Sequence, residues 1–554
     1  MSDLIDRTPP FEPPERFNLS DYLLDARLRE GLGDEPALLC EEGVWSYQAL
    51  WEHTQRCAHL LIKLGLRPEE RVLVSMRDSA DFAASLLGVI KAGGVVVMIN
   101  PELDADRLAE LLHYSRARYA FVEASSRPHF ERAYAQLNAD PAPVMAHLTL
   151  IEMLGGERAT LPSAEEIASV TPEASTSTER GLRLSHYEQE RASLPSTPFT
   201  ADTHRDDPAV WLFSGGTTGR PKAIVQPHRS FVYTTERYAK RTLGYRAGDR
   251  VLSVPKLYFG YATGANLFFP LSVGASAILF PDKPTPARLF EQIDRHKPTL
   301  MINVPTLINR MLSEPGAEAR DLSSLRAVTS AGEALPVALH ERWDQRFGVP
   351  LYDGLGTAEM WHIFLTNSEH ASRKGTLGQV VEGFEVSLRS ADGAEVSVGE
   401  AGVMWVKGGA RATEYWQQRE ASELAFQGSW YASGDLMRRD EDGFYTYCGR
   451  QDDMIKVAGK WVSPKEVEDA LMAHEGVKEC AVIGSEDEAG LLKAFAYVIP
   501  RDLDALTQDP EGLKRSILGH LEARLDRYKL PKSLTLKGDF KRTHLGKIDR
   551  GALR

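Results

Sequence analysis

The sequence predicts an α/β protein. A large N-terminal domain of parallel β-sheets flanked by helices carries a β-rich subdomain, and a small mobile α+β domain follows. Three observations support this. Before Asn100, apolar strand-like runs alternate with helix-period segments, the pattern of a parallel sheet. From Gly375 to Met437 the chain is dense in glycine and short β-like runs. Beyond Gly449 come a capped helix, two strands and another helix.

Trp45-Ser46-Tyr47-Gln48-Ala49-Leu50 opens a helix with Ser46 as N-cap. Leu50, Thr54, Ala58 and Leu61 recur at helical spacing, and Gly65 stops it. Arg71 to Met76 reads as a strand, Ala84 to Ile90 as a helix ending near Gly93-Gly94, and Val95 to Ile99 as a second strand. Between Gly155 and Asp207 the chain is rich in Ser, Thr, Glu and Pro, and Thr171 to Glu179 reads as a mobile loop or charged connector. Ala209-Val210-Trp211-Leu212 is a buried strand. Further strands are expected at Ala275 to Phe280, Thr299 to Ile302, Arg326 to Ser330 and Gly402 to Lys407.

Ser463-Pro464-Lys465-Glu466 is a capping box with proline at the first helical position, and Val467, Ala470 and Leu471 give that helix its apolar face. Strands at Cys480 to Ile483 and Ala494 to Val498 follow, then a helix with Leu513, Ile517, Leu521 and Leu525 on one face. The boundary falls near Arg450 to Asp453, dividing residues 1–450 from 451–554.

A chain of 554 residues can hold two or more domains. Its net charge of -13 argues against non-specific binding to nucleic acid or anionic membrane. Met1 to Asp6 is acidic and lacks a signal-peptide core, and no run approaches the roughly 20 apolar residues of a membrane span. Cys40, Cys57, Cys448 and Cys480 show no metal spacing and suit reduced core thiols in a cytoplasmic protein.

Five stretches carry candidate chemistry. Phe213-Ser214-Gly215-Gly216-Thr217-Thr218-Gly219-Arg220-Pro221-Lys222 follows the buried strand directly. Its glycines allow close approach of the backbone, its N–H groups and hydroxyls can cradle phosphate oxygens, and Lys222 or Arg220 can offset their charge. The alternative is a surface turn. A P-loop is excluded, because Gly459-Lys460 and Gly546-Lys547 precede Trp461 and Ile548 rather than Ser or Thr. In Tyr352-Asp353-Gly354-Leu355-Gly356-Thr357-Ala358-Glu359, two glycines permit close ligand approach and a lone carboxylate suits a divalent cation. In Tyr431-Ala432-Ser433-Gly434-Asp435, a carboxylate on a turn can accept both hydroxyls of a ribose. Gly449 to Lys456 and Lys541 to Arg550 would each, alone, be a solvated charged stretch.

Together, and in this order, the five stretches resemble the adenylate-forming superfamily of acyl- and aryl-CoA ligases, adenylation domains and luciferases. The resemblance implies that Ser214, Gly215, Gly216, Thr217, Thr218, Gly219 and Lys222 hold phosphates, with Thr217 among the catalytic groups. It implies that Glu333, Asp353, Gly354, Leu355 and Thr357 line the nucleotide site and that Glu359 binds Mg²⁺ and acts in catalysis. Asp435 and Arg450 become ribose ligands, Asp452 the hinge and Gly459 the glycine beside the pantetheine tunnel. Lys547 becomes the catalytic cation bridging the substrate carboxylate and the α-phosphate. ATP, Mg²⁺ and coenzyme A are implied with them. Leu355 departs from the aromatic usual beside adenine. Ala358 departs from the threonine usual before the glutamate, with Thr357 next to it.

Lys256 to Gly264 and Met360-Trp361-His362-Ile363-Phe364 look like the benzoate–CoA ligase branch, with Gly260, Tyr261, Gly356, His362 and Ile363 at the positions that line a short, flat acyl pocket. Domains that activate α-amino acids place an Asp where Gly260 stands, and without it an α-ammonium would lack its partner. The implied activity converts benzoate, or an amino- or hydroxybenzoate such as 2-aminobenzoate, to aryl-AMP and then to aryl-CoA, AMP and diphosphate. His362 could serve such a ring substituent; taken alone it is a core histidine satisfied by hydrogen bonds. The alternatives are an adenylation enzyme loading a carrier protein and a non-catalytic nucleotide-binding protein. Retention of Lys222, Glu359, Asp435 and Lys547 speaks against the second. The expected partners are a small aromatic acid, ATP and CoA, with no nucleic acid or membrane, in a monomer or homodimer.

Overall fold

The computed structural model describes residues 9–139, 145, 147–154, 181–215, 221–457, 460–487, 491–542 and 548–553. The expected loop at 171–179, residues 1–6, residues 216–220, Gly459 and Lys547 lie outside them.

Two large sheets form the N-terminal part. In the eight-stranded sheet, Pro208–Gly215, Val95–Met98, Arg71–Ser75, Tyr119–Glu123, His147–Met153 and Gly181–His186 run parallel, in that spatial order. Pro221–Pro227 and then Glu414–Tyr415 add antiparallel to its edge. The nine-stranded sheet has a parallel centre of Leu351–Gly356, Ala327–Ser330, Leu300–Asn303, Arg250–Ser253, Ser276–Ile278 and Pro36–Cys40. The strand expected over 275–280 is thus shorter, confined to Ser276–Ile278.

The helices Tyr47–Lys63 and Ala80–Lys91 pack against each other. The first also touches the strands Pro36–Cys40 and Gly43–Ser46, the second the strands Arg71–Ser75 and Val95–Met98, so the pair bridges the two sheets. Ser46 caps the first helix by accepting from Ala49 N at 3.2 Å, and Gly65 turns out of it at φ +85°. Every residue of Ala80–Lys91 is buried, as its near-continuous apolar character requires. Its one basic group, Lys91, pairs with Asp25 at 2.6 Å and donates to Thr200 Oγ1.

The glycine-dense segment forms the expected β-subdomain, an antiparallel sheet of Glu385–Arg389, Ala401–Lys407, Trp430–Arg439, Phe426–Gln427 and Tyr445–Arg450. The C-terminal domain has its own core, which includes Val467, Leu471, Val482, Val498, Ile517 and Leu521. Helices Pro464–Met472 and Pro510–Glu522 cover strands Val477–Glu486, Leu492–Pro500 and Ser533–Leu536. Ser463 caps the first of these helices through Glu466 N, and its hydroxyl also donates to Cys448 O at 2.5 Å across the domain junction. Leu525 lies past the end of the second helix, and Cys448 is half-buried at this junction rather than in a core. Among the described residues no helix is long and apolar enough to cross a membrane.

Candidate active site

The phosphate-loop sequence forms an antiparallel hairpin in which Ser214 pairs with Lys222 and Gly215 with Pro221; its tip, Gly216 to Arg220 including Thr217, Thr218 and Gly219, lies outside the described residues. The hairpin edge is continued by Glu414–Tyr415. This brings Tyr415 between Lys222, expected to hold phosphate, and Glu359, expected to hold Mg²⁺. The Lys222 ammonium lies 4.9 Å from the centre of the Tyr415 ring, and the Tyr415 hydroxyl donates to Glu359 Oε1 at 2.9 Å. Glu359 is buried and sits in a 3-10 turn held to the hairpin, with Gln226 Nε2 donating to Ala358 O at 2.6 Å and Ala412 N to Glu359 O at 2.7 Å. Burial and the Glu359 charge raise the Tyr415 pKa, so the phenol stays protonated and remains a donor. Tyr415 carries no local sequence signal, since its place depends on a strand pairing with a distant segment.

Asp353, Gly354, Leu355 and Gly356 end the strand Leu351–Gly356. The two glycines were expected to admit a ligand. Both line a cavity, and each also faces a close backbone neighbour: a Cβ on Gly354 would meet Leu365 O at 2.8 Å, and one on Gly356 would meet His362 O at 2.4 Å. The chain that runs back alongside, from His362 to Leu365, thus demands glycine here as well. Burial raises the Asp353 pKa to about 7, against the backbone N–H groups of Leu335 and Gly354. Thr357 caps the turn by accepting from Met360 N at 3.3 Å.

Two cavities meet at this strand end. A wide cleft is lined by Asp353, Gly354, Leu355, Glu333, Asp435 and Arg450. Asp435 and Arg450 face each other across paired strands, with Arg450 Nη1 3.3 Å from Asp435 Oδ1. Glu333 accepts from Thr306 Oγ1 at 2.8 Å. Sequence reasoning missed three further groups on this cleft. Tyr447 supplies an aromatic to the cleft that Leu355 also lines, and Lys465 and Asp469, paired with one another, reach it from the C-terminal domain. Asp452 lies in the exposed 3-10 turn Gln451–Asp453 between the β-subdomain and the strand Ile455–Val457.

The second cavity, of about 280 Å³, is bordered by Gly260, Tyr261, Gly356, His362 and Ile363, so all five acyl-pocket positions surround one space. Gly260 leaves Leu212 as its neighbour, since a Cβ there would lie 3.2 Å from that side chain. Tyr261 Oη is within 2.8 Å of Thr329 Oγ1, and His362 Nε2 lies 3.0 Å from Tyr261 O. Burial pushes the His362 pKa down to about 4, despite the Tyr261 carbonyl. Gly332, Gly356 and Thr357 line both cavities.

A protein-family model described as AMP-binding enzyme matches residues 26–416, and one described as AMP-binding enzyme C-terminal domain matches residues 466–547. Benzoate–CoA ligase of Thauera aromatica is 37% identical over 556 residues, covering 100% of this chain and 99% of the relative. Among solved structures, the anthranilate CoA ligase AuaEII in complex with anthranoyl-AMP superposes with a TM-score of 0.85 at 33% identity, covering 98% of this chain and 97% of the other. A benzoate CoA ligase from Burkholderia xenovorans LB400 gives 0.83 at 35%, covering 97% of this chain and 100% of the other. The chain therefore belongs to the AMP-binding enzyme family, in its benzoate–CoA ligase-like branch.

Proposed function

We propose that the protein is an ATP-dependent aryl-CoA ligase that activates benzoate or an amino- or hydroxybenzoate as aryl-AMP and passes the acyl group to CoA. The observation that carries this reading is the shared wall of the two cavities. An aryl acid in the smaller cavity and a nucleotide in the larger one would meet at Gly332, Gly356 and Thr357, which border both. There a carboxylate oxygen attacks the α-phosphorus and the bond to diphosphate breaks. In the second step the CoA sulfur attacks the acyl carbon, the C–O bond to AMP breaks and the thiol proton passes to solvent. The names of the full-length relatives support CoA as acceptor; a carrier protein is the competing one.

In this reading Asp353 accepts from the adenine amine, and Asp435 with Arg450 holds the ribose. Ser214 to Gly219 and Lys222 hold the phosphates. The donor set fits Mg²⁺, because one buried carboxylate beside a phosphate loop matches an ion shared with phosphate oxygens. Glu359 would hold it, and the ion would offset the charge on the phosphates. Lys547, on the domain of residues 451–554, supplies positive charge for adenylation only. Rotation at Asp452 then brings Gly459 to the pantetheine path.

ATP–pyrophosphate exchange with a panel of aryl acids, followed by product analysis with free CoA, tests the proposal. Exchange with benzoates and formation of aryl-CoA are expected. Exchange only with aliphatic acids would refute the pocket assignment, and transfer only to a loaded carrier protein would reverse the acceptor.

A further inference from the structure

One wall of the smaller cavity is made by four consecutive residues, Tyr258, Phe259, Gly260 and Tyr261. They follow the strand Arg250–Ser253 and lead into the short helix Gly260–Thr263. Backbone between elements is held by whatever its N–H and C=O groups bond to. Here two buried charged side chains stand behind the wall, Asp78 at 3% exposure and Lys256 at 8%. Asp78 Oδ1 accepts from Leu257 N at 2.8 Å. Lys256 Nζ donates to Phe280 O at 2.7 Å and lies 3.5 Å from the centre of the Phe280 ring. The ammonium and Asp78 Oδ2 are 3.9 Å apart. Each charge thus directs its short hydrogen bond at backbone and balances the other at longer range. Phe259 N donates to Lys256 O at 2.9 Å and closes the turn, and the Thr263 hydroxyl donates to Leu257 O.

Packing alone does not account for charge at this place. Burial pushes the Asp78 pKa up to about 6 and lowers that of Lys256, so both groups carry their charge against the surroundings. Well-packed apolar residues often replace a buried ion pair with no loss of stability. What a carboxylate adds is a directed bond to one N–H. Asp78 also directly precedes Ser79, which caps the wholly interior helix Ala80–Lys91 by accepting from Phe82 N at 3.2 Å. The cavity wall is therefore tied to an element fixed on all sides by the core. The cavity leaves that wall little slack, since a Cβ on Gly260 would lie 3.2 Å from Leu212, which borders the same space. A shift of the wall by about an ångström would change the width offered to a flat ring, and misplacement of that size can cost about a hundredfold in rate.

We infer that Asp78 and Lys256 are positioning residues for the aryl acid: by holding Leu257 N and Phe280 O they set the backbone that places Tyr258 to Tyr261 against the substrate ring. The inference rests on the aryl-acid reading of this cavity and adds to it two residues that act from behind its wall. The nucleotide cleft is bordered by other segments, so the pair should serve the acid and not ATP.

The test is pyrophosphate exchange by the full-length protein, with KM measured separately for ATP and for the aryl acid that the wild type uses best. Asp78→Ala removes the acceptor and should raise KM for the acid by about tenfold or more, while KM for ATP stays within about twofold. Lys256→Met keeps the stem, removes the donor to Phe280 O and should shift the same KM in the same direction. Asp78→Asn keeps an acceptor for Leu257 N and should return the acid KM to within about threefold of the wild type. General loosening of the fold would instead lower the active fraction, reducing kcat with both KM values unmoved. That result, or an equal rise of both KM values, in either Asp78→Ala or Lys256→Met with unchanged circular dichroism would overturn the inference and leave the aryl-CoA ligase reading intact. Should Asp78→Ala not fold, the same split in Lys256→Met decides. Asp78→Asn as impaired as Asp78→Ala would overturn the role given to the Leu257 N–H bond. Wild-type exchange with no aryl acid would overturn both readings.

Discussion

Tyr415 donates its hydroxyl hydrogen to Glu359 Oε1 at 2.9 Å while its ring lies beneath the Lys222 ammonium, 4.9 Å away. One side chain thus fixes both the carboxylate that would hold Mg²⁺ and the cation of the phosphate hairpin. A hydrogen bond to a charged group contributes about 1.5–3 kcal/mol. Tyr415→Phe keeps the ring and frees the carboxylate. Its exchange rate should fall roughly tenfold, and the Mg²⁺ concentration for half-maximal rate should rise. A Mg²⁺ titration superimposable on that of the wild type would show that Tyr415 does not position Glu359.

Asp353 predicts a pH dependence. Its folded pKa of about 7 lies above the ordinary carboxylate value of about 4. Folding therefore favours the protonated form, and its contribution to stability is lost as pH rises from about 4 through 7. Adenine, as a donor, favours the ionised form. ATP binding should release a proton near pH 7, and KM for ATP should fall as pH rises through that value. Asp353→Asn should flatten the profile. A wild-type KM constant from pH 6 to 8 would contradict this role.

Lys547→Ala should abolish adenylation but largely spare thioester formation from preformed aryl-AMP, because in the proposed reaction a cation on a rotating domain serves one arrangement only. The two half-reactions, measured separately in single turnovers, decide. Equal loss of both would contradict two arrangements of the C-terminal domain.

Asp452→Pro fixes φ near −65° and removes an N–H at the expected hinge. Adenylation should persist within about tenfold, and thioester formation should fall by orders of magnitude. Equal slowing of both steps, with the circular dichroism unchanged, would move the hinge elsewhere.

What could be read from the sequence was local. Ser46 and Ser463 announce helix starts because a cap is decided within four residues. The strands at Arg71–Ser75 and Val95–Met98 show in their unbroken apolar runs. Asp435, Arg450 and Glu359 could be named as candidates because their types sit in ordered motifs. Tyr415 was not, since its role depends on pairing between residues 414–415 and 224–225. His362 could be named as a pocket residue, but its contact with the Tyr261 carbonyl emerges only once the fold places Tyr261 O against His362 Nε2. The glycines of the Asp353–Gly356 segment were legible as glycines, but their second role was not, because the crowding comes from chain that lies beyond the turn at Trp361.

The phosphate hairpin rides on one large sheet and the Asp353–Glu359 segment on the other, so the spacing of the sheets sets the reach between them. That spacing passes through the bridging helix pair, and at one point the pair is as close as backbones allow: a Cβ on Gly88 would lie 2.6 Å from Cys57 Cβ and 3.1 Å from Thr54 O. Gly88 borders neither cavity. A single methyl there would act as a shim, tilting one half of the reaction centre against the other from a distance. Errors of an ångström in such alignment can cost a hundredfold in rate. The smallest side chain in a wholly interior helix thereby works as the gauge block of the catalytic gap.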